Sequence, residues 1–352
     1  MRRFARAIGI LENGVAQRAF PGASFAVTHT SDRAYGSVGH FTYESESPKA
    51  TPEAIFDLAS LTKAIATTSA AMILYERGKL RLDAPIADLI PDFAAHDPRK
   101  RSITVQMLLS HSSGLPAHEK LYEKAQTREQ ALSAALRSTL QAEPGRHVEY
   151  SDIGFIVLGE VLTDLAEEPL DVFCAREIFA PLEMSKTAFN PPEARRALIP
   201  PTIRDDHFRH RTIQGEVNDE NASLLGGVAG HAGLFAPAGD VARFAECILR
   251  GGAPILKPET VLLFTKRQYL PKGSSWALGW DTPSAPSQSG KLLSEDSFGH
   301  LGYTGTSLWI DRQRRLSITL LTNRTWPEGG SQQIKELRPA FHDAIVEALE
   351  TS

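Results

Sequence analysis

The chain has 352 residues, of which 42% are hydrophobic and 23% charged, and its formal net charge is −4. This length leaves ample material for a buried core, and the balanced charge gives no reason to expect nucleic acid or an anionic membrane surface as a partner. With only two cysteines, Cys174 and Cys247, a disulfide framework is excluded, and we expect both to be reduced core residues.

The N-terminus lacks the pattern of a signal peptide. Residues 1–8 begin with positive charge, but Arg6 and Glu12 interrupt the apolar stretch that follows. Nowhere does the sequence contain 18 uninterrupted apolar residues, so we expect no membrane span. We therefore expect a cytoplasmic protein, with a removed export signal as the open alternative.

The first strands follow an amphipathic N-terminal helix. Alternating apolar residues predict strands over 22–30 and 34–43, and Ser31, Asp32 and Arg33 supply the turn between them. A helical pattern then runs over 61–77, where apolar residues recur at helical spacing, and Gly78 ends it.

The remainder of the chain changes from helical patterns to strand patterns. Helical periodicity occupies the middle in several pieces separated by proline-rich loops, and a last amphipathic helix is predicted over 332–349. Between them, strands are predicted over 276–280, 298–310 and 316–323, with a hairpin turn at 311–313.

This order of elements predicts an α+β fold. One antiparallel sheet built from the two chain ends, flanked by helices, buries both groups of strands, with the helical part inserted between them. We expect a discontinuous sheet domain over 1–79 and 231–352, and a mostly helical inserted domain over 80–230.

The most informative stretch contains Ser60 and Lys63 at the start of the helix over 61–77. Residues three positions apart share a helix face, so Lys63 can reach back over Ser60. A serine hydroxyl becomes a useful nucleophile when a neighbouring base takes its proton, and burial in apolar surroundings lowers the pKa of a lysine toward that role. The alternative is an ordinary helix start with Ser60 as its cap.

Two further stretches carry candidate site residues. Tyr150 and Asp152 lie where a turn runs into a new helix, so the phenol can act at a reacting centre; alternatively, Tyr150 packs under the loop and Ser151 or Asp152 caps the helix. His300 and Gly302 lie in a glycine-rich strand start, which is typical of close approach to the backbone; the alternative is a buried histidine on a glycine-rich turn.

Together these motifs resemble the serine β-lactamase and penicillin-binding-protein superfamily, in the branch with class C β-lactamases, D-Ala-D-Ala carboxypeptidases and family VIII esterases. The branch carries Ser-x-x-Lys, Tyr-x-Asn and Lys/His-x-Gly in this order. The matching stretches here are 60–63, 150–152 and 300–302, supported by 108–116 and 227–235. The resemblance covers residues 15 to 345 and implies the β-lactamase-like fold.

The resemblance also implies a mechanism of acyl transfer without metal or cofactor. Ser60 attacks a carbonyl, Lys63 and Tyr150 receive its proton, and the oxyanion lies between the N–H groups of Ser60 and Tyr303. His300 is expected to bind Tyr150 or the substrate and to make activity pH-sensitive around pH 6–7. His111 and His231 belong to the supporting stretches and are interpreted as structural.

Two departures from the family pattern carry information. Asp152 stands where the family usually has asparagine, and an ionised carboxylate cannot donate a hydrogen bond to a substrate carbonyl. Asp152 would also favour a charged Lys63, so the choice of base between Lys63 and Tyr150 stays open. His300 replaces the lysine that is usual in class C enzymes, which disfavours efficient β-lactam hydrolysis.

These inferences predict a serine hydrolase acting on a carboxylic ester or amide, with a small-molecule ester, β-lactam or peptide-like substrate. The alternatives are a class C-type β-lactamase, a muropeptide amidase, and an inactive binding protein on the same scaffold. The amidase is suggested because the stretches 215–222 and 226–233 resemble family members linked to amino-sugar and muropeptide turnover. Asp152, His300, Gly302 and Tyr303 are expected to bind substrate or oxyanion, and the loops over 117–130 and 200–225 to determine specificity.

Overall fold

The computed structural model describes residues 2–30 and 32–350, whose strands form one large sheet and two small ones. Along the described chain the strands are β1 (Gly22–His29), β2 (Asp32–Gly39), β3 (Phe56–Asp57), β4 (Ala188–Phe189), β5 (Ile203–Asp205), β6 (Arg211–Ile213), β7 (Leu234–Ala236), β8 (Phe298–Leu301), β9 (Ser307–Asp311) and β10 (Leu316–Thr322).

The α-helices, in the same order, are α1 (Ala5–Ala16), α2 (Ser69–Glu76), α3 (Ile86–Leu89), α4 (Val105–Leu109), α5 (Leu121–Lys124), α6 (Arg128–Arg137), α7 (Asp152–Ala166), α8 (Leu170–Cys174), α9 (Glu220–Leu224), α10 (Ala238–Leu249), α11 (Pro258–Thr265) and α12 (Ile334–Glu350). Short 3₁₀ segments occupy Arg2–Phe4, Pro91–Ala94, Pro98–Ser102 and Glu193–Leu198, and π-helical segments occupy Lys63–Thr68 and Ala175–Phe179.

The large sheet joins the two ends of the chain. Its strand order is β2-β1-β10-β9-β8, and every neighbouring pair is antiparallel. The predicted antiparallel sheet and α+β class are therefore confirmed. The domain division at residues 80 and 230 stays a prediction, and Ser31, part of the predicted first turn, lies outside the described residues.

A separate apolar core covers each face of this sheet. On one face Phe25 of β1 and Ile318 of β10 pack with Phe341 of α12 and Leu11 of α1. On the other face Leu321 of β10 joins a larger core that continues through α10 into the helical middle of the chain. The side chains of β1 and β10 therefore serve both cores, as the two-residue period of a strand allows.

Two strand predictions near the C-terminus were wrong. Residues 276–280 form no strand; Trp276 and Asp281 make only isolated bridges. The predicted strand over 298–310 is broken at 302–306 into β8 and β9, which pair antiparallel. A tight turn causes the break: Gly302 N–H donates to Thr306 O at 2.8 Å, and Gly305 has a φ of +99° that favours glycine.

The helix predicted over 61–77 is present, but its first part is π-helical. The segment Lys63–Thr68 is buried throughout and continues directly into α2. Such π-helical segments in α-helices are frequent at functional sites. Across the described ranges, no helix is both long enough and apolar enough to cross a membrane.

Candidate active site

The turn before Ser60 is held in an unusual backbone conformation. Ala59 has a φ of +47°, a left-handed value that is rare for a residue with a side chain. The buried carboxylate of Asp57, at the end of β3, accepts the Ala59 N–H at 2.8 Å and the Asn218 N–H at 2.6 Å. This carboxylate therefore fixes the turn that presents Ser60.

Ser60, Lys63 and Tyr150 meet as predicted from their motifs. Lys63 Nζ donates to Ser60 Oγ at 2.9 Å, and Tyr150 Oη donates to the same atom at 2.7 Å. The two groups approach one hydroxyl from a helix turn and from the loop before α7. An arrangement of this kind can activate a serine and pass its proton on.

Lys63 is fully buried and its ammonium group has three acceptors. Besides Ser60 Oγ, Nζ donates to Asp152 Oδ1 at 2.6 Å and to His231 O at 3.0 Å. Burial by itself lowers the pKa of Lys63, but the charge of Asp152 and the contact with Tyr150 outweigh it, so the pKa is raised. Three acceptors match the three N–H donors of the charged form, so Lys63 is an ammonium in the resting site.

Asp152 is free to pair with Lys63 because Ser151 caps α7 instead. Ser151 Oγ accepts the Gly154 N–H at 2.9 Å. Burial raises the pKa of Asp152, but the Lys63 ammonium and the contact with His118 hold it well below its usual range. The carboxylate is ionised and cannot donate a hydrogen bond to a substrate.

Tyr150 is held against an aromatic wall. The ring of His111 lies 4.7 Å from that of Tyr150, and His111 Nδ1 accepts the Ser151 N–H at 3.0 Å. Trp276 contacts both rings. Burial raises the pKa of Tyr150 to about 12, and the nearby Lys63 ammonium opposes this only in part. Tyr150 is therefore a neutral phenol at rest, and His111 helps to position it.

Two main-chain N–H groups are available for an oxyanion. Within residues 2–30 and 32–350, neither the Ser60 N–H nor the Tyr303 N–H has an acceptor. The turn carrying Tyr303 is tied to the turn before Ser60, because Thr304 Oγ1 donates to Asp57 O at 2.8 Å. Thr306 Oγ1 likewise donates to a main-chain oxygen there, at 3.0 Å. These contacts fix the two N–H groups relative to each other.

His300 differs from its expected behaviour. Its Nδ1 must donate to Leu301 O at 2.8 Å, and its ring lies 6.0 Å from that of Tyr150 without a hydrogen bond between them. Burial, followed by the charge of Lys63, lowers the pKa of His300 to about 3. The imidazole is neutral near pH 7, so the titration around pH 6–7 expected from the sequence does not belong to it.

A cavity of about 680 Å³ opens over Ser60 and is lined by every predicted site residue except the buried Lys63. Both loops expected to determine specificity contribute to its wall, 117–130 through His118 and 200–225 through Asn218. Gly302 lies where this wall meets the Ser60 turn, and a side chain there would collide with Thr306 Oγ1.

Two buried arginines form the wall beside Tyr303. Arg338 Nη2 donates to Gly302 O at 2.7 Å, and Arg324 Nε donates to Tyr303 O at 2.6 Å. In the described part of the chain, neither guanidinium is paired with a carboxylate. Burial lowers the pKa of Arg338 to about 9, and the charge of Arg324 adds to the effect. This end of the cavity is therefore positively charged and suited to an anion.

Four residues that shape the site carry no catalytic motif of their own: Asp57, Asn218, Arg324 and Arg338. Two of them leave a signal in the sequence. Asp57 interrupts an otherwise apolar run, and Arg338 lies on the apolar face of α12, where a charged residue is unexpected. Asn218 and Arg324 lie in loops, and only the folded chain brings them to the cavity.

Comparison with known proteins shows the family of the chain. A family model described as Beta-lactamase matches residues 7–338. A putative D-alanyl-D-alanine carboxypeptidase of Escherichia coli K12 is 34% identical over 308 residues, which span 78% of this chain and 70% of that protein.

Solved structures show the same fold. EstCE1, described as a hydrolase with promiscuous acyltransferase activity, superposes with a TM-score of 0.77 and 22% identity over 97% of this chain and 99% of its own. Unliganded simvastatin synthase (LovD) from Aspergillus terreus has a TM-score of 0.78 and 19% identity over 99% of each chain. At these identities the likeness shows the fold alone.

Proposed function

The chain belongs to the Beta-lactamase family and is a serine hydrolase, and on that premise we propose that it cleaves peptide-like amides or esters whose leaving group carries a carboxylate. The contacts of Ser60 Oγ support the site assignment, since Lys63 Nζ lies 2.9 Å and Tyr150 Oη 2.7 Å from it. Two free N–H groups face the same cavity.

In the proposed acylation step Ser60 Oγ attacks the substrate carbonyl carbon. Before the attack the two hydroxyl groups rotate, so that the Ser60 O–H donates to Tyr150 Oη and the phenol O–H points to the leaving group. As the new C–O bond forms, the serine proton moves to Tyr150 Oη, and the phenol proton moves to the leaving nitrogen or oxygen. The negative charge on the carbonyl oxygen is held by the N–H groups of Ser60 and Tyr303. Lys63 remains an ammonium and stabilises the developing charge on both hydroxyl oxygens, which agrees with its raised pKa.

Deacylation reverses the proton path. Water takes the place of the leaving group and attacks the acyl carbon, its proton passes to Tyr150, and the phenol proton returns to Ser60 Oγ as the ester bond breaks. Tyr150 is neutral before and after each step, as expected for a phenol whose pKa is about 12. This relay assigns the base role to Tyr150 rather than to Lys63.

Two arginines that have no carboxylate partner among the described residues support the proposal that the leaving group carries a carboxylate. Arg324 and Arg338 lie beside Tyr303 in the cavity wall, and only main-chain oxygens occupy their hydrogen bonds. A guanidinium binds carboxylates well because its donors match the two oxygens. A peptide ending in D-alanyl-D-alanine, the type of substrate named for the E. coli relative, carries such a group.

The test compares purified wild type and Ser60→Ala on a peptide ending in D-alanyl-D-alanine and on the same peptide with a C-terminal amide. We expect the free carboxylate to be preferred by about tenfold, the worth of a charge-assisted hydrogen bond. Ser60→Ala should lose about 10³-fold or more of the activity. Turnover retained in Ser60→Ala would reject the mechanism, and equal rates on the two peptides would reject the carboxylate preference.

A second candidate is hydrolysis of short acyl esters, favoured by the apolar part of the cavity wall. Trp276, Leu301 and Ile334 line it and suit an alkyl chain. A p-nitrophenyl ester in the same assay tests this candidate. A chromogenic cephalosporin should be turned over slowly, because the neutral His300 supplies no cation at the third motif.

A further inference from the structure

The side-chain amide of Asn218 is a polar group of the cavity that the mechanism above does not use. Asn218 lines the cavity and is 8% exposed. Among the described residues its amide makes no hydrogen bond, and its Nδ2 is buried without a partner. A buried amide without partners costs free energy, which points to a group that satisfies it when substrate is bound.

The main chain of Asn218 is rigidly tied to the nucleophile. Its N–H donates to Asp57 Oδ2 at 2.6 Å, and its carbonyl accepts Arg209 Nη2 at 2.8 Å. The other oxygen of Asp57 accepts the Ala59 N–H, one residue before Ser60. One carboxylate therefore sets the distance between Ser60 and the Asn218 side chain.

Asp152 also lines the cavity, and it supplies no donor in the place where the family usually has asparagine. Its Oδ1 accepts from Lys63 Nζ at 2.6 Å, and its Oδ2 lies 3.7 Å from His118 Nδ1. An ionised carboxylate only accepts hydrogen bonds, so it repels the carbonyl oxygen of an acyl group rather than binding it. The side chain of Asn218 is a primary amide, and its N–H groups can donate a hydrogen bond to such a carbonyl.

We propose that Asn218 donates a hydrogen bond from Nδ2 to a carbonyl oxygen in the acyl part of the substrate, and so selects acyl groups that contain an amide. Nδ2 is the buried atom of the amide, and a half-turn about the Cβ–Cγ bond exchanges it with Oδ1, which brings Nδ2 to the side of the amide that lines the cavity. The inference rests on the proposed acyl transfer at Ser60. It adds that the acyl part is an N-acylated amino acid residue rather than a plain alkyl chain.

The test uses two p-nitrophenyl esters of matched shape. One is the ester of N-acetylalanine, in both enantiomers, and the other is the ester of 2-methylpentanoic acid, which replaces the acetylamino group by propyl. The quantity measured is the ratio of kcat/KM for the two esters. In Asn218→Ala and in Asn218→Asp, which keeps the size but removes the donor, we expect this ratio to fall about tenfold.

A matched control is Asn190→Ala, because the Asn190 amide donates to Gly226 O at 2.8 Å and lies outside the cavity wall. We expect this variant to keep the wild-type ratio. Equal losses on both esters in the Asn218 variants, or no change in their ratio, would overturn the inference while leaving acyl transfer intact. A wild-type protein that cleaves neither these esters nor the peptide ending in D-alanyl-D-alanine would instead reject the proposed function, and the inference with it.

Discussion

Two lysines are buried in different regions of the molecule, and their pKa values shift in opposite directions. Lys63 lies in the proposed active site and donates to Asp152. Lys100 is 2% exposed, belongs to the segment Pro98–Ser102, and donates to Leu136 O at 2.7 Å with its Nζ 4.9 Å from the Phe93 ring centre. Burial lowers the pKa of Lys100, whereas that of Lys63 is raised.

The difference shows that burial alone does not set the charge of a buried lysine. Burial lowers the pKa in both regions, but only Lys63 has a carboxylate in contact. The ammonium group of Lys100 contacts a main-chain oxygen and an aromatic face, and these contacts do not reverse the lowering of its pKa by burial. Asp152, rather than the helix start or the apolar neighbours, therefore determines that the active-site lysine is charged.

The largest expected effect comes from removing that carboxylate. In Asp152→Asn, burial of Lys63 is no longer opposed by a contacting negative charge, so its pKa falls. We expect the alkaline limb of the kcat/KM profile to move to lower pH, with a loss of about tenfold at high pH for each unit of that movement. An alkaline limb at the wild-type position would contradict the role assigned to Asp152.

Stability measurements on the same variant give a second readout. The raised pKa of Lys63 stabilises the fold below about pH 10.4 and the lowered pKa of Asp152 stabilises it above about pH 3.9, the ordinary values of the two groups. The difference in unfolding free energy from Asp152→Asn, about 3–5 kcal/mol for a broken buried pair, should be largest between these limits. It should shrink as the pH falls through the lowered pKa of Asp152 or rises through the raised pKa of Lys63.

Asp57 is the acidic counterpart of Lys100, because it is a buried carboxylate that accepts hydrogen bonds from main-chain N–H groups. Burial raises its pKa to about 6, against the N–H bonds from Asn218 and Ala59; Asp219 adds to the rise and Arg209 opposes it. Above this pH the ionised carboxylate holds the Ser60 turn more strongly. We expect kcat/KM of the wild type to rise as the pH increases through about 6. In Asp57→Asn this rise should be absent, and kcat/KM at higher pH should be about tenfold lower than in the wild type.

Two controls accompany this measurement. The limb should persist in His300→Gln, because the pKa of His300 is lowered to about 3; its disappearance there would assign the limb to the imidazole. The contribution of Asp57 to the free energy of unfolding, measured as wild type minus Asp57→Asn, should decrease as the pH rises from about 4 to about 6, because the pKa of Asp57 is higher in the folded state than the ordinary value.

The smallest effect is expected at Lys100. Lys100→Met removes a buried ammonium that has no carboxylate partner and keeps an apolar side chain of similar length. We expect kcat/KM to stay within about twofold and the free energy of unfolding to change by less than about 1 kcal/mol, as measured by urea unfolding. A loss of activity above tenfold would mean that the two lysines are not independent.

The sequence predicted the parts of the site that follow short-range rules. Ser60 and Lys63 are three residues apart on one helix, so their contact follows from helix geometry, and Tyr150 was found from its motif. The turn at 302–306 was missed because its glycines were interpreted as a place of close approach to one continuous strand. The φ of Gly305 and the contact of Gly302 with Thr306 show that they form a turn instead.

The contacts that cross long sequence distances were not predictable in this way. The bond from the Asn218 N–H to Asp57 joins residues 161 positions apart, and nothing in either local sequence indicates its partner. The sequence left the base open between Lys63 and Tyr150. The three acceptors around Lys63 Nζ, one of them the main-chain oxygen of His231, decide its charge, and that oxygen has no signature in the residue pattern.

The ties on the Ser60 turn also determine when the enzyme can first work as it is synthesised. Hydroxyl groups of Thr304 and Thr306 hold the turn across 247 and 248 residues. A nascent chain ending at residue 290 already contains Ser60, Lys63 and Tyr150, but it lacks these ties and the Tyr303 N–H. Hydrolysis should therefore begin only after β8, β9 and β10 leave the ribosome and join the sheet, where β10 pairs with β1.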